Sequence, residues 1–129
     1  MPREIVKSPL CAATPPFFAQ AVKVGAMLFV SGQLSRDAAG TVIGKGDMAA
    51  QTRQVILNLQ AILREAGGEL RHIVKLTAFM TDMSRAPEAW AVREEFFAAH
   101  PPASTGVQVQ RLTHPDFMIE MEAIAVIED

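Results

Sequence analysis

The chain is short of several things that would each point to a function. It has one cysteine, Cys11, in 129 residues, so no intramolecular disulfide and no cysteine-rich metal cluster can be built. That usage suits a reducing, cytoplasmic compartment. There is no tyrosine, and aromatic residues make up 6% of the chain. Basic excess is also missing: twelve Lys plus Arg against fourteen Asp plus Glu leave a net charge of -2, which makes a dedicated nucleic-acid binder unlikely. The longest apolar runs, 26–30 and 123–127, fall far short of the ~20 residues a bilayer span needs, so no membrane partner is expected. Charges at Arg3, Glu4 and Lys7 with no apolar stretch behind them do not read as a secretory signal. No repeat, linker or low-complexity segment divides the sequence, and residues 1–129 read as a single domain.

Half of the residues are hydrophobic and the mean hydropathy is +0.18, rather apolar for a chain whose size leaves much of its surface exposed. This hints at association between copies. Residues 19–24 and 26–33 read as strands joined by a turn at Gly25. From Met48, apolar residues at Val55, Leu59, Ile62 and Ala66, with Ile56 and Leu63 beside them, recur at helical spacing. Gln51, Arg53, Gln54, Asn58 and Arg64 fall on the polar side, Asp47 can cap this helix and Gly67-Gly68 can end it. Residues 72–83 read as a strand. A second helix is predicted over 86–99, with Pro87 near its start and Pro101-Pro102 stopping it. Two extended runs, 104–112 and 117–127, close the chain. Helices interrupting a sheet of neighbouring strands indicate a two-layer α+β domain of five to six strands, with both helices on one face. The last run carries apolar residues on both parities, so the other face of the sheet also needs cover, most simply from neighbouring subunits.

Most of the motifs have ordinary explanations. Residues 40–47 superficially resemble a phosphate loop, but the spacing is one residue short and no Ser or Thr follows Lys45. Ser31 lacks the leading glycine of a nucleophile elbow, so its backbone should matter more than its hydroxyl. His72, His100 and His114 share no metal-ligand spacing, and no metal or cofactor is expected. Cys11 has no basic neighbour in sequence to activate it. The informative feature is Glu120-Met121-Glu122. On a strand the two carboxylates share one face roughly 7 Å apart, given a rise of ~3.3 Å per residue. Burying both unpaired would cost several kcal/mol, so they must reach water, find partners or line a ligand cleft.

Several segments together resemble the RidA family, also called YjgF or L-PSP endoribonuclease-like proteins. They are 29–33 (FVSGQ), 51–67 beginning QTRQV, 74–83 (VKLTAFMTDM), 95–97 (EFF), 100–103 (HPPA) and 119–126 (IEMEAIAV), in family order. The resemblance implies a chorismate-mutase-like fold assembled as a homotrimer, with small-molecule clefts between subunits. It also implies, in members that act as deaminases, cofactor-free hydrolysis of enamines and imines such as 2-aminoacrylate. There a glutamate matching Glu120 positions water, an arginine grips the substrate carboxylate, and the Ser31-Gly32-Gln33 segment helps form the cleft.

The chain departs from this pattern in three places. The family's proline-alanine-arginine reads Pro102-Ala103-Ser104; Trp90 stands where many deaminating members carry asparagine, and Phe18 where many carry tyrosine. A serine hydroxyl cannot replace a bidentate guanidinium. An extended strand would carry Arg111 ~23 Å from Ser104 and onto the opposite face. The expected site is therefore Glu120 as the catalytic residue, with Phe18, Ser31, Gly32, Gln33, Trp90, Ser104, Thr105 and Gly106 binding the ligand. Unless an arginine from another segment or subunit takes the place of the clamp, it lacks a cation, prefers neutral or cationic guests and has weak or no activity on 2-aminoacrylate. The alternative is a non-catalytic metabolite-binding or regulatory protein using the same clefts. The ribonuclease activity reported for some relatives gains little support from this acidic chain.

Overall fold

Strand β1 (Arg3–Val6) opens the chain, followed by β2 (Ala21–Val24) and β3 (Met27–Leu34); Gly25, at φ 59°, turns the chain between the last two. Helix α1 (Met48–Glu65) leads to β4 (Ile73–Met80), helix α2 (Ala86–Phe97), β5 (Ala103–Gln108) and β6 (Ile119–Val126). The computed structural model describes residues 2–128. The six strands form one sheet in the order β1-β2-β3-β6-β4-β5. All pairings are antiparallel except β4 with β5, which run parallel because α2 carries the chain back between them. No helix is long and apolar enough to cross a membrane.

The predicted α+β class and both helices stand, and two boundaries move. β1 falls on the charged N-terminal segment, where no strand is expected; it pairs with β2 as an exposed edge. The strand predicted over 104–112 ends at Gln108, because the chain leaves the sheet there and crosses through an irregular segment to β6.

Asp47 caps α1 by accepting from the Ala50 amide at 3.0 Å, and Gly67, at φ 86°, lets the chain leave its C-terminus. The helix buries Val55, Ile56, Leu59, Ile62 and Leu63 against the sheet, as its periodicity predicts. Gln51 and Asn58, placed by sequence on the polar side, are instead buried. Gln51 donates to the carbonyls of Gly44 and Asp116 and accepts from the Met118 amide; Asn58 donates to the carbonyls of Leu34 and Arg36. Both side chains supply backbone partners to loops that would otherwise be unsatisfied against the helix.

Side-chain alternation divides the sheet. Leu28 and Val30 of β3, Leu76, Ala78 and Met80 of β4, and Ile119, Met121, Ala123 and Ala125 of β6 are buried on the helix side. The other parity, with Met27, Phe29, Glu120, Glu122, Ile124 and Val126, forms an uncovered face.

Candidate functional site

Glu120 and Glu122 share the uncovered face, but their environments differ: Glu122 is exposed and Glu120 partly buried. The reason lies in β3. Val30 faces Ala123 and Gln33 faces Met121, so β3 carries one extra residue here, a bulge at Ser31-Gly32. A Cβ on Gly32 would lie 2.7 Å from both Cδ and Oε2 of Glu120. Gly32 is thus required for space rather than for its backbone angles, since the carboxylate packs directly on it. Burial raises the Glu120 carboxyl above the ordinary glutamate range, the neighbouring charge of Glu122 adds to the shift, and Arg36 opposes it.

A hollow of ≈ 360 Å³ surrounds this carboxylate, and Phe18, Ser31, Gly32 and Gln33 line it. Ser31 is held on both sides: its hydroxyl donates to the Ala19 carbonyl at 2.6 Å, and its amide donates to the Gln20 carbonyl at 2.9 Å. Its hydroxyl therefore fixes the wall of the hollow together with its amide, whereas the sequence reading gives more weight to its backbone than to its hydroxyl. Gln33 bonds the Ser31 carbonyl, and Phe18 stacks edge-on with Phe17 while staying 47% exposed. Cys11 is buried, with its thiol pushed up to about 11 by desolvation, so it serves as an unreactive packing residue.

Ser104, Thr105, Gly106 and Trp90 lie elsewhere. In the register of β4 and β5, Ser104 faces buried Leu76 and so points to the helix side, while Thr105 faces Thr77 on the open side, where its hydroxyl accepts from Lys75 Nζ at 2.7 Å. No β5 residue lines the Glu120 hollow. Trp90 of α2, 54% exposed, borders a separate shallow hollow of ≈ 300 Å³ with Arg93, Phe97, Pro101 and Pro102. Within one protomer the expected residues therefore form two groups, one around Glu120 and one along β5 and α2.

The expected lack of a cation is overturned. The guanidinium of Arg93 donates to Ser104 Oγ at 2.6 Å, so positive charge stands at the position where serine replaces arginine. Arg36 lines the Glu120 hollow itself. Arg111 is not carried away along a strand, because β5 has already ended; with Leu112, Thr113, Pro115 and Glu120 it borders an adjoining depression. The preference for neutral or cationic guests loses its basis. Sequence reasoning named neither Arg36 nor Arg93 and set Arg111 aside on the expectation of a longer strand. Only Arg93 left a trace there, one helical turn after Trp90 on the element that packs beside Ser104.

Residues 9–127 match the family described as Endoribonuclease L-PSP. The chain belongs to that family, the RidA/YjgF proteins. It is 43% identical to a RutC family protein of Pyrococcus abyssi over 86% of this chain and 87% of that protein. It is 39% identical to the 2-iminobutanoate/2-iminopropanoate deaminase of Salmonella typhimurium, over 89% and 90%. Yeast Mmf1 in its crystal structure superposes with a TM-score of 0.94, at 30% identity, across 98% of this chain and all of that one. The RidA fold thus accounts for the sheet and both helices.

Proposed function

We propose that this RidA-family chain hydrolyses small enamines and imines, without a cofactor, in clefts assembled between the protomers of a cytoplasmic homotrimer. The observation that carries the reading is the Glu120 carboxylate, partly desolvated over the Gly32 bulge and open to a hollow of substrate size. A carboxylate whose pKa is raised by burial is a better base than an ordinary glutamate. Glu120 takes a proton from water as the oxygen attacks the C=N carbon. That proton passes to nitrogen to give the carbinolamine; its hydroxyl proton then moves to the amino group as the C–N bond breaks, releasing ammonia and leaving a carbonyl compound. An enamine enters the same sequence through its imine tautomer.

Trimer assembly would bring the β5 group of one protomer beside the Glu120 group of the next. It would also cover the open sheet face. Phe18 and Trp90 give the cleft apolar walls, so imines with an apolar side chain fit best. Arg93 supplies the charge at Ser104, so it is the apolar walls, which 2-aminoacrylate has too little side chain to fill, that place this smallest such acid at the weak end of the range.

The test is single-turnover hydrolysis of imines generated in place by an amino-acid oxidase or dehydratase. The wild type should accelerate release of ammonia, with an acid limb of kcat/KM above the ordinary glutamate value of ~4.3. Glu120→Gln should lower kcat by about 10²- to 10⁴-fold. An unchanged rate in that variant, or no acceleration by the wild type, would refute the assignment.

A further inference from the structure

Arg93 is set apart from the other paired arginines. Arg53, Arg64 and Arg85 each meet a carboxylate at or near the surface. Arg93 is partly buried, and its hydrogen-bond partner among the described residues is the neutral hydroxyl of Ser104. Desolvation, with no anion to offset it, pulls its pKa down. A guanidinium has five N–H donors, so most of the capacity of this one remains unspent. Placing a cation in such surroundings without a counter-charge costs stability, and groups perturbed in this way concentrate at functional sites.

The neighbourhood fits such a ligand. Trp90 stands one turn before Arg93 on α2, and Phe97, Ala98, Pro101 and Pro102 give the same hollow an apolar rim that only the Glu94 carboxylate interrupts. Ser104 holds the guanidinium at β5, an edge strand whose residues, Thr105 and Gly106 included, are all exposed. Gly106 keeps that edge low: a Cβ there would meet nothing nearer than Met83 Cε at 3.9 Å.

We infer that Arg93, tethered by Ser104, is the carboxylate-binding residue of this protein and selects acids with a compact apolar body. The inference builds on the proposed hydrolysis by naming its substrates as imino acids, but the binding step stands apart from the chemistry. Arg93 is a binding residue and takes no part in proton transfer.

The direct test is calorimetric titration of the assembled protein with cyclohexanecarboxylate and, as the neutral control, its carboxamide. Losing a charge-assisted contact worth ~1.5–3 kcal/mol should weaken the acid by about 10- to 100-fold in Arg93→Gln and leave the amide unchanged. Arg93→Lys should recover part of the loss. Ser104→Ala, which keeps the cation and removes its tether, should give an intermediate affinity and provides an independent reading should Arg93→Gln fold poorly. In hydrolysis, Arg93→Gln should raise KM for an apolar imino acid while kcat and the acid limb set by Glu120 stay in place.

Equal affinity of wild type and Arg93→Gln for the acid would overturn the inference. So would a loss confined to Arg36→Gln, which would move the anion partner into the Glu120 hollow. Should the wild type bind the acid through Arg93 but hydrolyse no imine, the catalytic reading fails and the binding site stands. Should Glu120→Gln abolish turnover while Arg93→Gln changes nothing, the reverse holds.

Discussion

The two faces of the sheet are made from the same strands and differ in almost everything else. On the helix side, Leu28, Leu76, Ala78, Met80, Ile119 and Met121 are fully buried. On the opposite side, Met27 and Phe29 of β3 are 40% and 42% exposed, and Val107 of β5 is 37% exposed. The first face is a finished core. The second is as apolar in places but unfinished, and it carries both glutamates. Alternation along one strand thus separates the residues that hold the protomer together from those that the proposed trimer would use between protomers.

The contrast is sharpest where mutation should separate stability from assembly. Leu76→Ala should cost about 2–5 kcal/mol in urea unfolding, independent of protein concentration, because the cavity opens inside the protomer. Phe29→Asp, on the other face, should leave the protomer folded by circular dichroism but abolish its association in sedimentation. If Phe29→Asp unfolds the chain as severely as Leu76→Ala, the division between the faces is wrong.

A smaller effect separates Glu120 from the core. Its folded-state pKa lies above the ordinary 4.5, so the native state favours the protonated form relative to the unfolded chain. The charged form is therefore a penalty, fully present above the folded pKa and relieved as pH falls through it toward the unfolded value. Glu120→Gln should melt about 1–3 °C higher than wild type at neutral pH, with the difference vanishing in acid below the unfolded value. A lower melting temperature at neutral pH would mean that the ionised carboxylate has a stabilising partner.

Legibility in the sequence followed the same division. Elements whose register is written in apolar periodicity, such as α1 and β6, were readable because burial fixes which residues face inward. β1 was not, since an exposed edge strand needs no apolar alternation and its charges at Arg3 and Glu4 look like a loop. Gln51 and Asn58 were misplaced because a buried amide that satisfies loop carbonyls looks the same in sequence as a solvated one. The pairing of Glu120 and Glu122 was legible from strand parity, but their inequality was not: it comes from the Gly32 bulge on a neighbouring strand. The arginines were the largest omission. Ser104 marked where a charge was missing, and only the packing of α2 beside β5 shows Arg93 filling that position.

The central claim is that the working cleft is composite, with the Glu120 group from one protomer and the β5 group from its neighbour, and subunit mixing tests it most directly. A Cβ at Gly106 would meet nothing nearer than 3.9 Å in its own chain, and the ring of Gly106→Phe would block the β5 side of the cleft. Glu120→Gln disables the other side. Each variant alone should be inactive. Co-refolded in equal amounts, they should form mixed trimers in which about a quarter of the clefts combine two intact sides, restoring about that fraction of wild-type turnover. Mixed trimers, confirmed by native mass spectrometry, that remain as inactive as their parents would contradict the account.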